Sequence, residues 1–64
     1  MSRDIVKDFK RLGIDFDIPD MACCPGGYYV EFRVHDENYD KASQFAEKNS
    51  DGFYSISVTG GLPK

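Results

Sequence analysis

Long apolar runs are missing from this 64-residue chain. Nothing approaches the roughly 18 residues that a transmembrane helix needs, so a helical membrane span is excluded. The amino terminus reads Met1-Ser2-Arg3-Asp4 and continues in mixed charge. It carries no secretory h-region, and a cytoplasmic location is expected. Basic charge is scarce, with 8 Lys and Arg against 11 Asp and Glu, a net of −3. That argues against a basic site for duplex DNA, because nonspecific affinity comes from cations neutralising phosphates. The only cysteines are the neighbours Cys23 and Cys24. Two thiols make no disulfide framework, and bridging adjacent residues needs a strained ring. With a single His, His35, a four-ligand zinc set is also lacking. The expectation for Cys23 and Cys24 is one thiol packed inward and one in a reduced loop.

Length sets the scale of the fold. At 7.2 kDa the scaling laws give about 4,100 Å² of folded surface against about 10,400 Å² extended. One compact domain over residues 1–64, with a thin core and a stability of a few kcal/mol, follows. There is little room for a pocket with a second positioned catalytic group, so no enzyme activity, metal or cofactor is expected. Pro25-Gly26-Gly27 leads into a strand and lacks a following Lys-Ser or Lys-Thr, so it is no phosphate loop.

What is present is clear alternation and clear punctuation. Ser2 is a candidate N-cap. Ile5, Phe9 and Leu12, with Val6 beside them, mark an amphipathic helix of about ten residues that Gly13 closes in a left-handed conformation. Ile14-Asp15-Phe16-Asp17-Ile18 alternates apolar and acidic, which predicts a half-buried strand ended by Pro19. Residues 19–27 read as a long connection. Tyr28–His35 is a second strand with Tyr28, Val30, Phe32 and Val34 inward. Asp36, Glu37 and Asn38 favour a helix start, and a helix over Tyr39–Lys48 presents Ala42, Phe45 and Ala46 inward, with Tyr39 one turn earlier. Phe53–Thr59 is the third strand, with Tyr54, Ile56 and Val58 inward, and residues 60–64 read as a loose tail.

The order α-β-β-α-β specifies the α+β class: a three-stranded sheet with two helices on one face, similar to a ferredoxin-like fold lacking its first strand. The third strand has two places to pair, beside the second or beyond the first. No chain is left for the other face of the sheet. That face is expected to carry Asp15, Asp17, Tyr29, Glu31, Arg33, His35 and Phe53 among Ser55, Ser57 and Thr59. Tyr and Arg favour protein interfaces, so Asp15, Asp17, Tyr29, Glu31, Arg33, His35 and Phe53 are the candidate partner-binding residues. Tyr28, Tyr29 and Phe32 are similar to the aromatic platforms that stack RNA bases, but Tyr28 and Phe32 fall on the core face.

Charge is unevenly spread. Arg3, Lys7, Lys10 and Arg11 against Asp4 and Asp8 make the first helix net +2, whereas residues 15–51 carry nine acids and three bases, net −6. An acidic face of this kind competes for a basic groove on another protein. The alternative is a small nucleic-acid-binding module that uses Arg3, Lys7, Lys10 and Arg11. The stretch Asp36-Glu37-Asn38-Tyr39-Asp40-Lys41-Ala42-Ser43-Gln44-Phe45-Ala46-Glu47, followed by Gly52-Phe53-Tyr54-Ser55-Ile56-Ser57-Val58, resembles the alanine-spaced helix and closing strand of small phage-encoded proteins. These include anti-CRISPR proteins, several of which are compact acidic inhibitors of host defence. The resemblance implies a host protein as partner and carries over no site residues. Exposed strand edges also leave homodimerisation open.

Overall fold

Asp4 opens the first helix. Its carboxylate accepts the Lys7 N–H at 3.0 Å and caps α1, Ile5–Lys10. The computed structural model describes residues 4–63, apart from the side chain of Cys24. The expected cap Ser2, Arg3 of the basic set and the tail residue Lys64 therefore lie outside the described residues. At 6 residues, α1 is shorter than the helix of about ten that the apolar spacing implies. Its last amides, on Arg11, Leu12 and Gly13, bond three residues back, to Asp8, Phe9 and Lys10, which tightens the end into 3-10 geometry. Gly13, at φ 74°, then turns the chain toward the sheet.

The largest departure from expectation follows. Pro19 does not end the first strand, and residues 19–27 are not a long connection. β1 runs Phe16–Cys24 and turns at Pro25-Gly26 into β2, Gly27–Val34. The two strands pair antiparallel from Phe16↔Val34 to Cys24↔Gly27, with a shift of register between Asp17 and Asp20. Ile18 and Pro19 together face the single residue Phe32, which is a bulge. The missing amide of Pro19 falls where the ladder is already interrupted, on an edge strand, where proline is tolerated. A 3-10 turn at Asp36–Asn38 leads into α2, Tyr39–Asn49. β3, Tyr54–Thr59, then pairs parallel to β2. The sheet order is β1-β2-β3, so the third strand lies beside the second. This α+β arrangement is what remains of a ferredoxin-like sheet when its first strand is removed and the gap is closed.

Both helices cover one face. The buried core joins Ile5 and Phe9 of α1, Val30, Phe32 and Val34 of β2, Ala42 and Ala46 of α2 and Ile56 of β3. Phe9 is its centre. Its ring stacks on Phe32 at 4.0 Å and meets the edges of Phe16 at 4.9 Å and Phe45 at 5.2 Å. Ala42 and Ala46 let α2 approach the sheet closely, as the sequence implied. Tyr39, expected inward one turn earlier, is 42% exposed. Tyr28 and Tyr54 meet edge to face at 5.6 Å on the core side. Burial, and secondarily the Asp4 carboxylate, push the Tyr28 phenol above its usual range.

The segment after β3, expected as a loose tail, makes three hydrogen bonds with the end of β2. Leu62 N–H donates to the Val34 carbonyl at 3.1 Å, Gly61 N–H donates to Asp36 Oδ1 at 3.0 Å, and His35 Nδ1 lies 3.0 Å from the Leu62 carbonyl oxygen. Gly61 has φ 85°, and a Cβ on Gly60 would collide with Asp36 Oδ1. Gly61 thus suits the backbone conformation of this return of the chain, and Gly60 leaves room for the Asp36 carboxylate.

Candidate functional site

The face of the sheet opposite the helices is built by strand alternation, since cross-strand neighbours point to the same side. Three rows run across it. Asp17, Arg33 and Thr59 form one, Asp20, Glu31 and Ser57 the next, and Ala22, Tyr29 and Ser55 the third. The first row is ionic, the second acidic and the third largely apolar.

In the ionic row Arg33 grips Asp17 with both arms of its guanidinium. Nε donates to Oδ1 at 3.0 Å and Nη2 donates to Oδ2. Both side chains are about two-fifths exposed. The Arg33 hydrogen bond holds the Asp17 carboxyl below its usual range, and the same bond raises the guanidinium pKa of Arg33. In the acidic row Tyr29 reaches across, its hydroxyl donating to Glu31 Oε1 at 3.2 Å.

Two expected residues sit at the ends of the face. His35 follows β2, with its ring largely covered. Nδ1 lies against the Leu62 carbonyl, and Nε2 is 3.6 Å from Asp15 Oδ2, a carboxylate that is itself 86% exposed. Asp15 precedes β1 and does not lie in it, so Asp15 and Asp17 are not neighbours on one strand; each carboxylate has a different partner. Phe53 lies just before β3 and not within it. Asp51 Oδ1 accepts its N–H at 2.7 Å, its carbonyl accepts the Tyr28 N–H at 2.8 Å, and its ring is 46% exposed. With Ala22, Gly26, Tyr29, Gly52 and Ser55 it borders a shallow groove of about 290 Å³ at the hairpin end of the sheet.

Tyr29, Glu31, Arg33 and Asp17 thus share one face, with Phe53 at one end and His35 and Asp15 at the other. Sequence reasoning missed Asp20 and Ala22, because Pro19 was read as a strand terminator. Met21-Ala22-Cys23-Cys24 carries no apolar-polar alternation, so no local pattern marks this half of the strand. Cys23 is exposed. Among the described residues no three His, Cys, Asp or Glu side chains are placed to hold a metal ion, and no helix is long and apolar enough to cross a membrane.

The helix side has a different character. A groove of about 480 Å³ between α1 and α2 is lined by Arg11, Lys41 and Lys48 around Leu12 and Phe45, with Asp8 as its one acid. Arg11 and Asp8 make a long, exposed ion pair at 3.9 Å, the kind that contributes little. No protein-family model matches the chain, and neither a curated protein nor a solved structure is significantly similar to it.

Proposed function

We propose that this chain is a small, acidic, non-enzymatic interaction protein that binds and blocks a partner protein through the uncovered face of its sheet. The observation that carries this reading is the three-row face itself. It places an ionic pair, an acidic pair and an exposed aromatic groove together on one sheet, with no layer of the described residues over them. Tyr29, Glu31, Arg33 and Asp17 form the centre of the binding surface, and Phe53, His35 and Asp15 form its ends. Rigid strands lower the entropic cost of docking, and Tyr and Arg are the side chains that most often dominate interface energetics. The excess of carboxylates favours a basic partner surface, such as the nucleic-acid groove of a host enzyme or defence complex. The resemblance of α2 and β3 to phage-encoded inhibitors supports the same kind of target.

The test is capture from bacterial lysate with the full chain as bait, beside a Tyr29→Ala/Arg33→Ala variant shown to be folded by circular dichroism. One dominant protein retained by the wild type and lost by the variant is the expected result. Equal retention by both would remove the sheet face from the mechanism.

A second reading rests on the cations of the helix side. Lys7, Lys10 and Arg11 of α1 are exposed and continue into the groove that Lys41 and Lys48 line, which is the footprint of a nucleic-acid module. That reading requires a duplex or single-stranded probe to bind with a steep salt dependence, and with a slope reduced by Lys7→Ala/Lys10→Ala.

A further inference from the structure

Two of the three rows on the uncovered face leave interactions that the chain itself does not complete. Asp20 and Glu31 are paired directly opposite each other on β1 and β2. Like charges so placed repel and destabilise a sheet. Of the residues in the three rows, the one cation is Arg33; Asp17 engages it through two hydrogen bonds, and Glu31 attracts it more weakly without a hydrogen bond. Ser57, the third member of the acidic row, is neutral. The next row, Ala22, Tyr29 and Ser55, opens into the groove beside Phe53. Tyr29 joins the two rows, with its ring on the groove and its hydroxyl on Glu31.

Spacing links them further. Successive rows on one face of a sheet are two residues apart, about 7 Å. Side chains i and i+2 of an extended peptide have the same separation and the same direction. We propose that the groove at Tyr29 and Phe53 is the docking site for an extended segment of the partner protein that carries an apolar side chain and, two residues away, a Lys or Arg. The apolar side chain enters the groove between Tyr29 and Phe53. The cation lies over Asp20 and Glu31, where it removes their repulsion. Charge complementarity sets the choice of occupant: the groove is flanked by an acidic pair on a face whose rows carry three carboxylates against one guanidinium, which disfavours an acidic segment and favours a basic one. This inference rests on the uncovered face being the partner surface.

The test is selection of displayed random peptides on the immobilised full chain, followed by titration of the leading peptide by fluorescence anisotropy. The enriched sequences should pair an apolar residue with Lys or Arg at i and i+2. Phe53→Ser, and Ser55→Arg, which fills the groove from an exposed position, should each weaken binding about tenfold or more. Asp20→Asn/Glu31→Gln should weaken it similarly and raise its tolerance of salt, while melting no lower than the wild type because the repulsion is gone. That combination of firmer fold and poorer binding is not produced by a purely structural role. Enrichment of acidic peptides, binding lost on Lys41→Glu/Lys48→Glu instead, or no enrichment at all would each overturn the inference. A natural partner lost on Tyr29→Ala/Arg33→Ala but indifferent to Phe53→Ser and Asp20→Asn/Glu31→Gln would overturn it while leaving the proposed function in place.

Discussion

Phe9 and Phe32 lie ring on ring, 4.0 Å apart and within 5° of parallel, where α1 packs on β2. Truncating a buried Phe costs about 3–5 kcal/mol. A chain of this length has about 3–10 kcal/mol in total. Phe9→Ala is therefore expected to be largely unfolded at room temperature, which a urea titration followed by circular dichroism would show as a lost or strongly lowered midpoint. At Asp17 the effect is pH-dependent. Its folded pKa is depressed by Arg33, so its contribution is present above the unfolded carboxylate pKa and is lost as pH falls through the folded one. Asp17→Asn should lower the urea midpoint at neutral pH and leave it unchanged in acid below the carboxylate range. An equal difference at both pH values would show that Arg33 contributes by packing alone. Phe9, Phe32, Arg33 and Tyr29 were all legible as residues, because hydrophobic spacing and alternation decide which way each one points.

At the scale of elements, the two sheet edges are protected differently. β1 carries Pro19, a bulge and two aspartates, all of which discourage pairing with a second chain. β3 has no charge and no proline, and the preceding loop protects it instead. Asp51 Oδ1 accepts the Tyr54 N–H at 2.8 Å, Asp51 N–H donates to the Tyr54 carbonyl at 2.9 Å, and Ser50 Oγ accepts the Ile56 N–H at 3.2 Å. These bonds occupy the first groups that β3 turns away from β2, the Tyr54 N–H and carbonyl and the Ile56 N–H. Ser50→Ala/Asp51→Ala should remove the side-chain acceptors of the Tyr54 and Ile56 N–H groups and produce concentration-dependent association, measured by light scattering. A variant that stays monomeric at every concentration would show that the edge is guarded by something else. The return of the chain after β3 makes a similar test. Gly60→Ala drives the Asp36 carboxylate off the Gly61 N–H and should cost about 0.5–1.5 kcal/mol, the usual net worth of a hydrogen bond. In an Asp36→Ala background the same change should cost almost nothing, and a double-mutant cycle in urea would read the difference. The second half of β1 was not legible, because proline normally ends a strand and only the bulge opposite Phe32 makes it acceptable here.

At the scale of the whole molecule the two surfaces differ in charge. Arg11, Lys41 and Lys48 line the groove between the helices against Asp8, whereas the rows of the sheet face carry Asp17, Asp20 and Glu31 against Arg33. Association with a basic partner should therefore slow as salt rises, through the on-rate more than the off-rate, which stopped-flow mixing would measure. A single cluster joins both helices to all three strands. Melting followed by far-ultraviolet circular dichroism and by tyrosine fluorescence should give one coincident transition, and separated transitions would mean that part of the chain folds independently.

The sequence by itself determined the class of fold, the order of elements and the face to which the residues of β2, of β3 and of the first half of β1 point. Those properties follow from local periodicity, from the stereochemistry of Gly13 and from the small size of Ala42 and Ala46. Only the tertiary structure decided that β3 pairs with β2, that Asp20 faces Glu31, that Phe53 closes a groove with Tyr29, and that Gly60 and Gly61 bring Leu62 back to Val34 and His35. Each of these is a contact between residues far apart in the chain. Its energy depends on register and closure, which no local pattern of side chains specifies.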